Sequence, residues 1–378
     1  MTEREARIAF NMIPTVGAAT VARLAAAAGG SVAEAYARYP QKQDWEGREP
    51  AWARELERAE KMKVRILALG DPGYPPQLAT VASPPLALYV VGDPAVLSRP
   101  SVALVGTRAA TAYGRDTAER FAFGLAARGW AVVSGLARGV DAAAHRGALA
   151  GDGATAGVLG GALDQFYPAE NRALAREMVE RGGCVASEFP FGRRPDPQTF
   201  PQRNRVVSGL AQGVVAIECP LQSGTLITCA RALEQGRAVM AVPGRIDWKT
   251  SAGCLHLIRE GARMVTCVDD VVEELTPLGG ARPPAPSPSA ARAAPPERAA
   301  VPARARPPAP PEARLSLEEG TILGAIPEGG ATVDALARAT GAGAARVNAL
   351  LVALRLKGRI RFLPGNRVAA AQKNSFSR

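Results

Sequence analysis

Three stretches of this chain place glycine and arginine where an apolar strand should give way to a helix: VGTR (105–108), SGLARGVDAAAH (134–145) and FPQRNRVVSGLA (200–211). Those residue types in that setting make an anion site. Glycine lets backbone N–H groups approach a ligand, a helix N-terminus adds partial positive charge, and arginine brings a planar fork of donors. In the first stretch Gly106 allows the turn, Thr107 offers a hydroxyl and Arg108 can fork onto a phosphate, with Arg115 entering the next helix. In the second, Ser134 ends a strand, and Gly135 and Gly139 flank a tight loop that carries Arg138. In the third, Arg203 and Arg205 stand two apart with Asn204 between them. A helix would splay the two arginines about 200° apart, whereas an extended turn would put them on one face. Either arrangement lets one meet a ligand while the other pairs with a carboxylate such as Glu188 or Glu218. Several such elements in one sheet suit a ligand with phosphates in a row.

Two further segments extend the set. VLGGALDQFYPAENRAL (158–174) adds Asn171 and Arg172 for a second phosphate, and Phe166 and Tyr167 for stacking on an unpaired base. IECPLQSGTLITCARALEQG (217–236) opens a helix at Ser223-Gly224-Thr225, with Ser223 as the cap over free amides. Catalytic machinery is not expected. Asp141 and His145 are four apart on one helix face and read as a local structural pair, and Ser134 lies outside any GxSxG elbow. No GxxxxGK[ST] and no GxGxxG occurs, which leaves ATP and NAD without support. Cys184, Cys219, Cys229, Cys254 and Cys267 are odd in number, lack a CxxC and sit mostly in apolar runs. They read as reduced core residues, so neither metal nor cofactor is expected.

The elements that must position these residues follow from periodicity. Residues 67–280 alternate short apolar strands (86–91, 101–105, 130–134, 154–159, 183–187, 213–217, 237–242 and 263–267) with helices (111–128, 139–150, 170–182 and 223–235). The strands lack polar alternation, as a sheet covered on both faces requires. The expected fold class is α/β, a Rossmann-like doubly wound and mostly parallel sheet, whose ligands bind beyond the carboxyl ends of the strands. Residues 1–66 read as a helical domain of the SAM or helix-hairpin-helix kind, with Gly17 as the turn and Ala19 where that motif usually has its second glycine. Residues 281–313 hold 11 Pro and 12 Ala and read as an extended linker. Residues 314–378 read as a winged helix: three helices, then a hairpin with Pro-Gly-Asn at its tip. Arg355, Lys357, Arg359, Arg361 and Arg367 gather at its last helix and wing, as contacts to duplex DNA or to protein.

The charge is +11 over 378 residues, but it is unevenly spread: +2 over 1–280, +3 over 281–313 and +6 over 314–378. Any anion site in the large region must therefore be built from local charge, while the C-terminal module is basic throughout. Residues 1–8 are too charged for a signal peptide, and no apolar run is long enough to span a membrane. A soluble, cytoplasmic protein without a membrane partner is expected.

Taken in order, VGTR, SGLARGVDAAAH, VLGGALDQFYPAEN, FPQRNRVVSGLA, the block from IE to SGTLIT, and MAVPG (240–244) resemble the DprA (Smf) family of DNA-processing proteins of natural transformation. The resemblance implies a core that binds and shields single-stranded DNA, loads the recombinase RecA onto it, and works as a homodimer. It carries DNA contact onto Gly106, Thr107 and Arg108, onto Arg172, and onto Arg203, Asn204 and Arg205. Thr107 stands where the family usually has Ser, and Leu255 where it often has Asn. Two other functions fit the same layout. One is a nucleotide phosphoribohydrolase of the LOG kind, although Glu234 falls nine residues after Thr225 rather than three. The other is a duplex-DNA regulator acting through the winged helix.

Overall fold

The computed structural model describes residues 1–40, 50–276, 316–327, 330–357, 359–363 and 367–370. The chain divides into two compact units, Met1–Pro296 and Glu297–Arg378. The expected linker, 281–313, and the Pro-Gly-Asn tip of the wing lie outside the described residues.

In the first unit the strands are β1 (Arg65–Ala68), β2 (Ala87–Gly92), β3 (Ser101–Val105), β4 (Ala131–Ser134), β5 (Thr155–Val158), β6 (Cys184–Ser187), β7 (Gly213–Ala216), β8 (Ala238–Ala241) and β9 (Arg263–Met264). They form one sheet in the order β1-β2-β6-β5-β4-β3-β7-β8-β9. From β6 to β9 every neighbour is parallel, and β1 and β2 add an antiparallel edge. The helices are α1 (Glu3–Asn11), α2 (Ala18–Ala27), α3 (Val32–Ala37), α4 (Ala51–Lys61), α5 (Pro76–Ala79), α6 (Ala112–Ala126), α7 (Val140–Ala150), α8 (Arg172–Glu180), α9 (Thr199–Leu210), α10 (Gly224–Glu234), α11 (Ala252–Arg259) and α12 (Val268–Leu275).

The absence of polar alternation in the strands has the expected cause. Ala131 and Val133 of β4 pack with Val206, Val207 and Leu210 of α9, whereas Val132 between them packs with Phe121 and Leu125 of α6 and Ala144 of α7. Successive side chains enter opposite cores, so every position must be apolar. The sheet is thus a doubly wound, mostly parallel α/β layer with helices on both faces.

The N-terminal helices are fastened to the antiparallel edge. Thr2 and Glu5 form a capping box on α1. Arg4 then reaches the Asp71 carboxylate (3.1 Å) and the Ile66 carbonyl (2.8 Å). Phe10 is fully buried between Tyr36 and Tyr39, edge-on to both. Gly17 caps α2 without a side chain. Strand β1 runs across the boundary expected at 66/67, so helices and sheet share one compact unit.

The second unit contains α13 (Leu317–Gly324), β10 (Ala331–Thr332), α14 (Val333–Thr340), α15 (Ala344–Leu356), β11 (Ile360–Leu363) and β12 (Arg367–Ala370), with sheet order β10-β12-β11. This is the winged-helix arrangement. Ile322, Leu336, Val347, Leu351, Leu354 and Val368 make its core.

The spacing of Asp141 and His145 predicts a bond between them, and the structure corrects this. Asp141 accepts from the Gly135 and Ala137 amides, while His145 lies 2.7 Å from the Thr155 hydroxyl. That hydroxyl gives its proton to the Val132 carbonyl (2.8 Å). His145 Nδ1 must therefore donate to it, which leaves Nε2 bare, buried and without a partner. Burial holds the imidazole near a pKa of about 3, reinforced by the charges of Arg146 and Arg203. Below pH 6.5 an unfolded imidazole takes up a proton that the folded one refuses. The stability it allows is whole above that pH and is lost as pH falls toward 3, at up to about 1.4 kcal/mol per unit. His145→Gln is expected to flatten this acid limb by about one proton, read from urea unfolding between pH 7 and pH 4.

Candidate nucleic-acid interface

The strand order fixes where a ligand can enter. The chain leaves β3 for β4, β5 and β6, then returns to β7 on the other side of β3. Loops after β3 and β7 consequently diverge and open a crevice at the carboxyl ends of the strands. A cavity of about 390 Å³ occupies that crevice, lined among others by Gly106, Thr107, Arg108, Asp141, Ser223, Gly224 and Thr225. A second cavity of about 220 Å³ adjoins it, and the two share Arg108, Gly135, Ala137, Phe200 and Arg203.

Arg203 organises the floor. It projects from α9 and is buried at 5% exposure. Its Nη1 donates to the carbonyls of Gly135 and Val158, which tie α9 to the ends of β4 and β5. Its Nε donates to Asn204 Oδ1 at 3.2 Å, and Asn204 Nδ2 donates to the Gly224 carbonyl at 3.2 Å, linking α9 to the start of α10. Burial pushes the Asp141 carboxyl up and the Arg203 guanidinium down, and their mutual attraction opposes both shifts. Arg108 adds a repulsion that lowers Arg203 further.

The glycines here are spatial requirements. A Cβ on Gly135 would lie 2.1 Å from Arg203 Nη1, and one on Gly106 would lie 2.4 Å from Val140 Cγ2. Gly139 has φ +73°, and its Cβ would meet the Thr107 carbonyl at 2.3 Å. Glu218, buried at the end of β7, accepts from the Thr111 amide (2.9 Å), the Thr111 hydroxyl (3.0 Å) and the Thr250 hydroxyl (2.8 Å). It therefore holds the loop after β3 to the loop after β8. Thr107 is held by its own amide on the Glu218 carbonyl (2.7 Å).

The structure brings together Gly106, Thr107, Arg108, Gly135, Arg203, Asn204, Ser223, Gly224 and Thr225 in the larger cavity, and Arg138 in the smaller. Others serve differently. Ser134 lies beneath the floor and donates to the Leu104 carbonyl (2.6 Å). Asn171 is buried and clamps the loop after β4 by donating to the Leu136 and Ala137 carbonyls (2.8 and 3.1 Å). Exposed Arg138 is held by Glu170 through two bonds. Arg115 donates to the Ala110 carbonyl, and Arg172 lies 5.7 Å over the Phe166 ring. Because Thr199–Leu210 is helical, Arg205 points away from Arg203 and pairs with the half-buried Glu188, outside the lining of both cavities. Phe200 was not singled out by the sequence. It lines both cavities, and the Arg108 guanidinium sits 4.6 Å over its ring.

In the winged helix, Lys357 binds both oxygens of Glu319 (2.8 and 2.6 Å), a carboxylate that also completes a capping box with Ser316. Arg359 is half-buried after α15. Arg355 lies on α15, Arg361 on β11 and Arg367 on β12, and their side chains lie outside the described residues.

Gly135→Ala is expected to push the guanidinium off the Gly135 and Val158 carbonyls. The cost should be about 1–3 kcal/mol, the usual range for overpacking, read as a lowered urea midpoint. Gly224→Ala, where a Cβ meets nothing closer than Asn204 at 4.0 Å, is the control that should leave the midpoint in place.

A family model for DNA recombination-mediator protein A matches residues 65–276, and one for the DprA winged helix domain matches residues 306–366. The chain is 43% identical to Protein Smf of Escherichia coli (strain K12) over 202 residues, 53% of this chain and 54% of that protein. The match thus spans about half the length of the Escherichia coli protein. Identity to the DNA processing protein DprA of Streptococcus pneumoniae is 41% over 215 residues, 57% of this chain and 76% of that one. The solved structure of DprA from Streptococcus pneumoniae aligns with a TM-score of 0.55 at 38% identity, covering 64% of this chain and 81% of that one. DprA from Helicobacter pylori, whose structure is described for the single-stranded DNA binding mode of that protein, aligns with a TM-score of 0.51 at 29% identity, covering 56% and 95%. With the family model covering more than half of its residues, and a second model matching its C-terminal winged helix, this chain belongs to the DNA recombination-mediator protein A family, also called DprA or Smf.

Proposed function

We propose that the paired cavities grip the sugar–phosphate backbone of single-stranded DNA, without chemistry on it, and that the protein shields the strand and loads the RecA recombinase in the cytoplasm as a homodimer. One observation carries the DNA reading. Two guanidinium groups, Arg108 and Arg203, line the same cavity, and the charge of the first works against that of the second. A phosphate between them would offset that repulsion and accept from both forks. The Gly106–Thr107 turn and the capped start of α10 add amides and hydroxyls to the same cavity. The single-stranded DNA binding mode described for the Helicobacter pylori relative supports the same choice of ligand. RecA loading and dimerisation rest on membership of the family.

The phosphoribohydrolase reading loses support from the geometry. Glu234 ends α10, exposed and paired with Arg231 at 2.7 Å. The helix rises about 1.5 Å per residue, so this carboxylate stands roughly 15 Å from the cavity wall at Ser223–Thr225. Asp141, the carboxylate that does line the cavity, is occupied by two amides and faces Arg203. Among the described residues no cluster of three metal-ligating side chains occurs, and no helix is long and apolar enough to cross a membrane.

Binding to oligo-dT should weaken steeply with salt. Arg108→Ala is expected to reduce the log–log slope by about 0.7, the contribution of one phosphate on a single strand, with the urea midpoint unchanged. An unchanged slope would remove Arg108 from the site. A chain lacking residues 314–378 should retain single-strand binding in a gel shift, whereas loss of it would transfer the activity to the winged helix.

A further inference from the structure

Two buried cysteines meet where the chain turns out of β7 toward α10. Cys219 lies in that turn, and Cys254 is the third residue of α11. Their Sγ atoms are 3.7 Å apart, although the residues are 35 positions apart in the chain. Gly253 makes room for the contact, since a Cβ there would lie 2.6 Å from Cys219 Sγ. The backbone is fastened at the same point, the Gly253 amide donating to the Cys219 carbonyl at 2.8 Å. The main chains are thus already held side by side. Rotation of the two side chains is what separates the thiols from a bond of about 2.0 Å.

The pair is asymmetric. Cys254 Sγ donates to the Ala216 carbonyl at 3.6 Å, so Cys219 is the donor between the two thiols. Cys254 receives that bond and one from the Cys219 amide, and together they hold its thiol below the ordinary value. Its place in the first turn of α11 favours a thiolate as well. Cys219 is pushed up by the same bond and by burial. Burial pushes Cys184 and Cys229 up to about 12, which leaves both as inert thiols. One thiol disposed to lose its proton therefore stands against one disposed to keep it. The cover over them is the turn itself: Pro220 lines the larger cavity, and Leu221 after it is 56% exposed. Opening of this short turn admits a small oxidant.

We propose that Cys219 and Cys254 are a reversible oxidation site, at which a hydroperoxide converts the two thiols into an intramolecular disulfide between the turn after β7 and α11. With hydrogen peroxide, the Cys254 sulfur attacks one oxygen and the O–O bond breaks. Cys254 becomes a sulfenic acid, and the departing hydroxide takes the thiol proton to leave as water. The Cys219 sulfur then attacks the sulfenic sulfur. The S–O bond breaks, and a second water leaves with the Cys219 proton. Two thiols are oxidised by two electrons and one peroxide is reduced by two, giving one disulfide and two waters. The bond fixes the residue beside Glu218, which holds the loops after β3 and β8. It also closes the chain between 219 and 254 into a loop, which restricts the unfolded state.

The test exposes the folded, full-length chain to hydrogen peroxide, then quenches, unfolds and alkylates it for peptide mapping. A Cys219–Cys254 linked peptide lacking two hydrogens should appear and should vanish with dithiothreitol, while Cys184 and Cys229 stay alkylatable. The urea midpoint of the oxidised chain should rise and return with the reductant. Cys219→Ser should leave Cys254 as a sulfenic acid that dimedone captures, and Cys254→Ser should leave Cys219 unlabelled. The proposal is overturned if Cys219 and Cys254 alkylate fully after a treatment that has oxidised the exposed Cys267. It is overturned equally if the linked peptide joins any other pair, or if the midpoint does not rise. Dimedone on Cys219 in one variant and none on Cys254 in the other would overturn the order of attack. The map and the midpoint use the wild-type chain, so they decide the matter even where a serine variant fails to fold.

Discussion

A guanidinium group taken out of water is the constraint on which the rest of the site depends. Transfer of an ion to a protein interior costs several kcal/mol even after relaxation, and is tolerated only where the geometry supplies partners. Arg203 finds them in two strand-end carbonyls, the Asn204 side chain and the field of Asp141. Asp141 in turn is held by the Gly135 and Ala137 amides. The loop after β4 is thereby bound to both members of the pair, through the carbonyl of Gly135 and through its amide. Neither charge can shift without the loop, and the loop cannot shift without stranding a charge.

That closure accounts for much of the local sequence. Gly135 is required because Arg203 fills the space of a side chain, and Gly139 because the loop must pass the Thr107 carbonyl at a positive φ. Asn171 closes the loop from the far side by binding the carbonyls of Leu136 and Ala137. Glu218 performs the matching task across the crevice, joining the loops after β3 and β8. The ligand-facing wall is therefore set before any ligand arrives, and the donors on it need little reorganisation.

Periodicity and turn residues made the sheet legible. Seven of the eight expected strands appear within one residue at each end, and the last, expected over 263–267, stops at Met264; buried parallel strands are continuous apolar runs and glycines stop the helices between them. The edge strand β1 escaped notice because it begins with exposed Arg65 and is buried only at alternate positions, unlike the strands within the sheet. In the site, residue type was readable and direction was not. Arg203 and Arg205 look equivalent in the sequence, yet a helix sends one beneath the groove and the other to Glu188. Ser134 looks like a ligand donor at a strand end, and its proton goes to Leu104. The Asp141–His145 pair had the right spacing, but the demands of the loop on one side chain and of Thr155 on the other outbid a local bond. Phe200 drew no notice because its residue type alone does not show that its ring will line a cavity.

The distribution of unmatched charge ties these observations to a polyanion. Residues 1–280 carry a net charge of only +2, and exposed arginines of that unit repeatedly have a carboxylate close by, as Arg146 has Glu119, Arg181 has Asp152 and Arg193 has Asp196. Among the described residues Arg58, Arg108, Arg172 and Arg245 lie over aromatic rings, and two of these, Arg58 and Arg245, also have carboxylates within reach. The other two, Arg108 and Arg172, have no carboxylate within 4 Å among the described residues. Arg108 stands on the loop after β3 and Arg172 at the start of α8, which follows β5, at the same end of the sheet as the crevice. An aromatic face holds a cation in place without neutralising it, whereas a carboxylate does both. Arg108 and Arg172 thus bring positive charge, held in place without being neutralised, to the strand ends that open on the crevice, which is the arrangement a chain of phosphates requires.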